Sequence, residues 1–413
     1  MKRGNTLKMA AVAASLLLAA ADASAYTMKQ RIGDVDTSLK IYGFAQLEAR
    51  GGDAIIKDED NAVAKFGAQR VRLGMNYTGG KLRGKLFLDF NQPHDDEGGV
   101  GMPSMIKDAF VTYYENKALA LKVGLIKMPH GMSFTIPGWN LDIVERAFDK
   151  KLAMERNVGI MLSGRDLGFG NNAKVNGFEM GHERPWKGFG YDIMIGNQAG
   201  RSGAVTNANP GDANAYAARV MFDWTEIFHT ELSYAVSQNA GGVAGFQTGT
   251  TSVTDMNSSS PTYGQVTTTA VKLAADTEDY KSLNFGIDSH FGEGNAKFEY
   301  FDSKNIKGIK DYNERTWAIT GTYYVNDYLE PAIKHIQGAA EKNGVETDLG
   351  NTYLGLNYYI SPFDNKMDRM SKRKRNAHRM QFNYVIASGD KTAWNGLGGY
   401  KDNAWLFQYQ YQF

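Results

Sequence analysis

The chain ends in Trp405-Leu406-Phe407-Gln408-Tyr409-Gln410-Tyr411-Gln412-Phe413. Successive side chains of a β-strand point to opposite faces. As a strand, this segment places Trp405, Phe407, Tyr409, Tyr411 and Phe413 on one face and Leu406, Gln408, Gln410 and Gln412 on the other. A soluble sandwich also alternates, so the weight falls on repetition. Val71, Leu73, Met75 and Tyr77 alternate with Arg70, Arg72, Gly74 and Asn76. Leu82, Leu86, Leu88 and Phe90 oppose Arg83, Lys85, Phe87, Asp89 and Asn91. Leu232, Tyr234 and Val236 oppose Glu231, Ser233 and Ser237, and Met380, Phe382, Tyr384 and Ile386 oppose Arg379, Gln381 and Asn383. A face this charged is unfit for a dry core and suits a wet lumen.

The connections come in two lengths that alternate along the chain, as in a membrane barrel with short periplasmic turns and long extracellular loops. Tight turns fall at Gly79-Gly80, Asn116-Lys117, Thr225-Glu226, Gly292-Glu293-Gly294 and Asn326-Asp327. Long excursions fall near 50–63, 92–104, 128–155, 198–212, 239–279, 305–312, 339–349 and 388–402. The expectation is an all-β fold, a transmembrane antiparallel β-barrel of about sixteen strands over 37–413, beginning near Ser38 and ending at Phe413. Residues 165–188 leave fourteen or eighteen strands open. A barrel of this size encloses an aqueous channel.

The N-terminus supplies the address. Lys2, Arg3 and Lys8 precede an apolar run from Met9 to Ala21 and the small-residue site Ala23-Ser24-Ala25. That order predicts a signal peptide over 1–25, cut before Tyr26, followed by a short lead-in over 26–36. The expected location is the bacterial outer membrane. The chain has no cysteine, so no disulfide framework is available. The formal net charge is +1 at pH 7. The leader holds three basic residues and Asp22, which leaves the mature chain near −1. A nearly neutral surface argues against nucleic acid as a partner. Beyond the leader no apolar stretch is long enough for a transmembrane helix, so a membrane form must be a barrel.

Ile41-Tyr42-Gly43-Phe44 at the head of the first strand, with Phe413 after Tyr409 and Tyr411, resembles general outer-membrane porins. A closer resemblance lies over roughly 105–165. Lys122-Val123-Gly124-Leu125-Ile126-Lys127-Met128-Pro129-His130-Gly131, then Ile143-Val144-Glu145-Arg146-Ala147 and Arg156-Asn157-Val158-Gly159-Ile160, resembles the phosphate-selective porin O/P family. There a strand ending in G-x-x-K-x-P-x-G leads into a loop with an acidic-arginine pair, and the next strand opens R-x-x-G. Weaker agreement occurs at Ala217-Ala218-Arg219-Val220 and Leu329-Glu330-Pro331. The resemblance implies a sixteen-stranded, anion-admitting porin, usually a homotrimer. The dense lysine and arginine cluster of the family's phosphate site is not evident in this sequence.

Parity assigns Arg70, Arg72, Arg83, Lys85, Lys122, Arg219, Lys297, Lys334 and Arg379 to the lumen, against Glu48, Asp89, Asp108, Glu231, Asp288, Glu299 and Glu330. That balance is close to even. A pore discriminates by the field at its narrowest point, so a local cluster can outweigh it. The candidate constriction is the loop 128–155, whose Phe134, Ile136, Trp139 and Leu141 suggest that it folds inward. It carries Arg146, Lys150 and Lys151 as constriction candidates. The bland alternative is that these bases pair with Asp142, Glu145, Asp149 and Glu155 and only pin the loop.

Rival readings are thinner. An outer-membrane enzyme needs a nucleophile, a base and an orienting group. His130 and Ser133 are close in sequence, but no third group joins them, so no catalytic residues are assigned. Acidic clusters at His94-Asp95-Asp96-Glu97 and Asp58-Glu59-Asp60-Asn61 lack the calcium-loop pattern, so no metal and no cofactor is expected. A surface-binding barrel, adhesin or receptor, remains as the alternative to a diffusion porin for small hydrophilic solutes or ions. Its chemistry would sit in the long loops, which face lipopolysaccharide, over a side-chain-filled barrel of fewer strands. The Gly, Ser and Thr-rich stretch from Asn239 to Asp279 reads as a mobile surface loop. The basic run from Lys366 to Arg379 is unusually long for a periplasmic turn.

Overall fold

The computed structural model describes residues 26–54, 64–91, 105–168, 187–197, 214–225, 227–238, 247–254, 266–273, 278–342, 344–360, 378–390 and 399–412. The signal sequence, the acidic clusters at 58–61 and 94–97, residues 169–186 and the basic run up to 377 lie outside them.

In chain order the strands are β1 (Tyr26–Ile32), β2 (Val35–Gly52), β3 (Lys65–Gly79), β4 (Leu82–Asp89), β5 (Ile106–Asn116), β6 (Leu119–Lys127), β7 (Arg156–Leu167), β8 (Lys187–Asn197), β9 (Asn214–Trp224) and β10 (Phe228–Ser237). They continue with β11 (Gln247–Thr254), β12 (Val266–Leu273), β13 (Tyr280–Phe291), β14 (Gly294–Lys304), β15 (Tyr312–Tyr323), β16 (Leu329–Lys342), β17 (Val345–Tyr359), β18 (His378–Ala387) and β19 (Ala404–Gln412). Strands β2–β10 and β13–β19 form one antiparallel ring of sixteen. It is closed where β19 pairs with β2, from Ala404 against Gly52 to Gln412 against Phe44. The lead-in is itself a strand, since β1 folds back on the first half of β2 with Tyr26 opposite Ile41.

The wall is inverted relative to a soluble protein. On β8 and β9, Ile193 and Val220 are each 56 % exposed on the outside, while their chain neighbours Asp192 and Arg219 are 0 % and 7 % exposed on the inside. An apolar exterior fits hydrocarbon, and ring closure leaves no strand edge unpaired there. Among the described residues no helix is long and apolar enough to cross a membrane.

Short turns occur where sequence placed them. Thr225 adopts φ 55° between β9 and β10. The Asn326 side-chain oxygen accepts from the amides of Tyr328 and Leu329 at 2.8 and 2.9 Å. Two expectations need correction. The excursion expected near 339–349 is mostly strand, since β16 runs to Lys342 and β17 starts at Val345, the two residues paired. The stretch 239–279 contains a two-stranded sheet, with Gln247 opposite Leu273. Thr and Val supply β-propensity there that the Gly and Ser content concealed.

Candidate pore constriction

The connection between β6 and β7 fills the interior. Met128, His130, Met132 and Leu152 are each at most 1 % exposed, and Phe134 and Trp139 are nearly as deep. The residues of the G-x-x-K-x-P-x-G stretch explain how it enters the barrel. Gly124 has φ +131°, and a Cβ there would meet the Ala109 carbonyl at 2.3 Å. Gly131 has φ +85°, and a Cβ there would press on Ala153 and Phe301 at 3.0 Å. Only glycine meets both demands without strain.

After Gly131 comes one helical turn, Met132–Thr135. The terminal carbonyls of such a turn lack helical partners. Lys127 Nζ donates to those of Phe134 and Thr135 at 3.1 and 3.3 Å. Arg146 donates to the carbonyls of Ser133 and Phe134 at 3.1 and 3.3 Å, and also to that of Ile136. These two bases staple the loop to itself.

Across the lumen the loop lies on a wall of amides. Gln46 donates to the Gly138 carbonyl at 3.1 Å, Gln410 to Trp139 at 3.2 Å and Gln381 to Leu141 at 3.3 Å. Asn357 donates to the Asp142 carbonyl at 3.0 Å. The Asn383 oxygen accepts the Val144 amide at 2.7 Å. Buried backbone groups need partners, and side-chain amides supply both donors and acceptors. Ion pairs add to this, with Asp142 to Lys297 at 2.5 Å, Asp149 to Lys334 at 3.3 Å, Lys151 to Glu314 at 2.9 Å and Glu145 to Arg50 at 3.4 Å. The Tyr400 hydroxyl also donates to Glu145 at 2.6 Å.

His130 closes the entry. Its Nε2 lies 3.1 Å from the Ser282 carbonyl and its Nδ1 accepts the Met154 amide at 3.4 Å. Both nitrogens are thus used by a neutral ring, and burial pushes its pKa down to about 4. Ser133 is held through its amide by both oxygens of Glu299 at 3.1 Å. Of the pair that stood closest to a nucleophile and base in the sequence, His130 thus docks the loop through its ring and Ser133 through its backbone amide.

What stays open is a cavity of about 360 Å³ between the loop and the opposite wall. Among the described residues ten bases line it: Arg70, Arg72, Lys85, Lys107, Lys122, Lys127, Arg146, Lys150, Arg156 and Arg219. Four acids face them: Asp89, Asp108, Glu145 and Glu155. Asp89 holds Arg72 at 2.8 Å, and Asp108 holds both Lys85 and Arg156 at 3.0 and 2.8 Å. Arg70, Lys127 and Arg146 make no ion pair among the described residues. Arg70 instead donates to the side chains of Gln46, at 2.6 Å, and Gln69. Burial, then repulsion from Arg72 and Arg156, holds the Arg146 guanidinium down to about 9, still protonated at neutral pH. Rings support the cations from behind: Lys127, Arg146 and Arg156 sit 5.1, 5.7 and 5.9 Å from the Phe134 centroid. Lys122 lies 4.9 Å from that of Phe110.

The residues expected from sequence divide into groups. Arg70, Arg72, Lys85, Lys122, Arg219, Asp89, Asp108, Arg146 and Lys150 come together on the cavity. Lys297, Lys334 and Arg379 point inward but lie beneath the loop, Arg379 donating to the Trp139 carbonyl at 3.2 Å. Lys151 is turned to the wall by Glu314. Glu231 accepts from Arg219 at 3.3 Å and contacts His229 at 3.1 Å. Arg83 bonds the turn carbonyls of Gly80 and Leu82 at the periplasmic mouth. The near-even balance read along the chain is thus not the balance at the cavity.

Lys107, Lys127 and Arg156 were missed. A bulge between Phe87 and Leu88 leaves Lys107 without a partner in the register and breaks its parity. Lys127 and Arg156, the last residue of β6 and the first of β7, pair with each other on the parity opposite to Lys122, so alternation assigned them outward. Among the described residues no group of three or more His, Asp or Glu could hold a metal ion.

No family model matches the chain, and no curated protein matches it. Solved structures do. The chain is similar to OmpF of Salmonella typhi in complex with daunomycin, at 11 % identity and TM-score 0.57, covering 94 % of this chain and 100 % of that one. It is similar to an anion-selective porin from Comamonas acidovorans, at 12 % identity and TM-score 0.54, covering 91 % and 100 %. It is also similar to the trimer form of OmpT, an outer membrane protein of Vibrio cholerae, at 11 % identity and TM-score 0.53, covering 91 % and 99 %. The fold is that of the outer-membrane porin barrels.

Proposed function

We propose that this chain is an outer-membrane diffusion porin that passes small hydrophilic solutes and prefers anions. The observation that carries the reading is the lining of the open cavity, ten bases against four acids. Three of the bases, Arg70, Lys127 and Arg146, are satisfied by carbonyls or side-chain amides and bring no counter-charge with them. A narrow passage with low-dielectric walls concentrates such a field and raises the local concentration of anions. The chain acts as a homotrimer in this reading, supported by the porin resemblance and by the trimer form of one structural neighbour. It enters the outer membrane after losing residues 1–25. It performs no catalysis, and its long loops meet lipopolysaccharide outside.

The test is single-channel recording on refolded mature protein in a potassium chloride gradient. Large ohmic steps with a reversal potential on the chloride side are expected. A reversal potential on the potassium side removes the anion preference and leaves the porin. A folded barrel without conductance removes the pore and favours the surface-binding alternative.

A further inference from the structure

Resting on the anion-preferring reading, we infer that the passage selects organic monoanions with an apolar ring, of the arylcarboxylate class, over compact inorganic oxyanions. The cavity of about 360 Å³ lies in the size range of pockets for small organic molecules. A compact oxyanion is held best where charged donors converge on it from several sides. Here many donors are already spent, and the surface between the charges is apolar. Lys127 and Arg146 each give donors to loop carbonyls and rest against the Phe134 ring. Lys122 and Lys85 approach the half-buried Phe110 at 4.9 and 6.0 Å, and Trp139 lines the same space.

The cavity therefore offers the cationic heads of Arg70, Lys127 and Arg146, which make no ion pair among the described residues, and, beside them, ring faces and edges. A carboxylate has two oxygens for the remaining donors of Arg70 or Arg146, and a ring attached to it can lie on Phe110 and Trp139. Aromatic pairs favour offset or edge contacts of this kind. Removing roughly 60 Å² of ligand ring surface from water is worth about tenfold in affinity.

The experiment measures block of the chloride current through refolded trimers or monomers by sodium benzoate, acetate and phosphate at fixed pH and ionic strength. Half-block by benzoate is expected at about one tenth of the acetate concentration, and below that of phosphate. Equal block by benzoate and acetate, or tightest block by phosphate, overturns the inference while leaving chloride selectivity in place. Loss of chloride selectivity itself would strike the broader reading, so the two failures are distinguishable. Phe110→Ser keeps all ten bases and is expected to abolish the benzoate advantage while the reversal potential stays on the chloride side. A benzoate advantage that survives in that variant also overturns the inference. The wild-type comparison decides the matter even if the variant does not fold.

Discussion

Two arcs of one barrel wall share a period-two pattern and differ in what they do with it. On β3–β7 the inward positions are Arg70, Arg72, Lys85, Asp108 and Lys122, and they face open space. On β17–β19 and β2 they are Asn357, Gln381, Asn383, Gln408, Gln410 and Gln46, and they face a docked loop. Charge stays solvated in a channel at low cost, whereas amides can satisfy a buried backbone without importing charge. An inward polar face therefore has two uses: on one arc clustered cations line the open cavity, and on the other amides, with Arg379 among them, receive the loop backbone.

The most direct way to break this comparison is to remove the cover. Replacing residues 132–152 by a short Gly-Ser link should raise single-channel conductance roughly twofold or more, because the loop occupies the lumen across β13–β19. Anion preference should fall with it, since Arg146 and Lys150 leave. Unchanged conductance would mean that the loop does not set the narrowest point.

Charge removal on each arc sharpens the contrast. Arg70→Gln with Lys122→Gln should shift the reversal potential toward zero and leave the loop docked, since Arg70 donates to Gln46 and Gln69 and Lys122 lies over Phe110, all residues of the wall. Lys334→Met should do the opposite. It leaves Asp149, 1 % exposed, without its 3.3 Å partner, at a cost of about 3–5 kcal/mol to loop docking. Noisy current and faster proteolysis of the loop are expected, with selectivity retained while the loop is seated.

Acidity tests the same division more gently. Burial, the largest cause, raises the Glu145 carboxyl despite Arg50, so it takes up a proton as pH falls before ordinary carboxylates do. Burial lowers Lys150 and holds Arg146 at about 9, so both lose charge early as pH rises. Anion preference should therefore decline steadily from pH 5 to pH 10 in reversal-potential measurements. A rise with pH would contradict the lining. His130 acts on docking: its pKa falls from 6.5 to about 4 in the folded chain, so the stability it contributes is full above 6.5 and lost as pH drops through 4. Loop proteolysis should accelerate in that window.

The sixteen-strand ring was legible because alternation is a local property, as in Trp405 to Phe413. The inward loop was legible too, because Phe134 and Trp139 have no reason to sit in an exposed excursion. The basic cavity was not. Parity counted Lys297, Lys334 and Arg379 with Arg70 and Arg72, and only the path of the loop separates the two sets. Lys107 escaped because a bulge breaks parity without an obvious sequence sign. The closing strand carried an unused signal: Gln408 and Gln410 among aromatics on one strand suit backbone recognition better than ion passage.

The smallest effect tests that last point. Asn383→Ala leaves the Val144 amide, bound now at 2.7 Å, buried without its acceptor. Such an orphaned group costs about 1–3 kcal/mol, which should appear as faster hydrogen exchange at Val144 and its neighbours. Conductance and selectivity should hardly change, because five other amides still grip the segment from Gly138 to Val144. Asn383→Asp separates acceptor from donor: it keeps an oxygen for Val144 but drops the amide donor to the Phe382 carbonyl. If Asp restores exchange protection and Ala does not, the loop is held by backbone recognition at this position. If both leave protection intact, the amide arc is a packing surface and the contrast between the two arcs rests on charge alone.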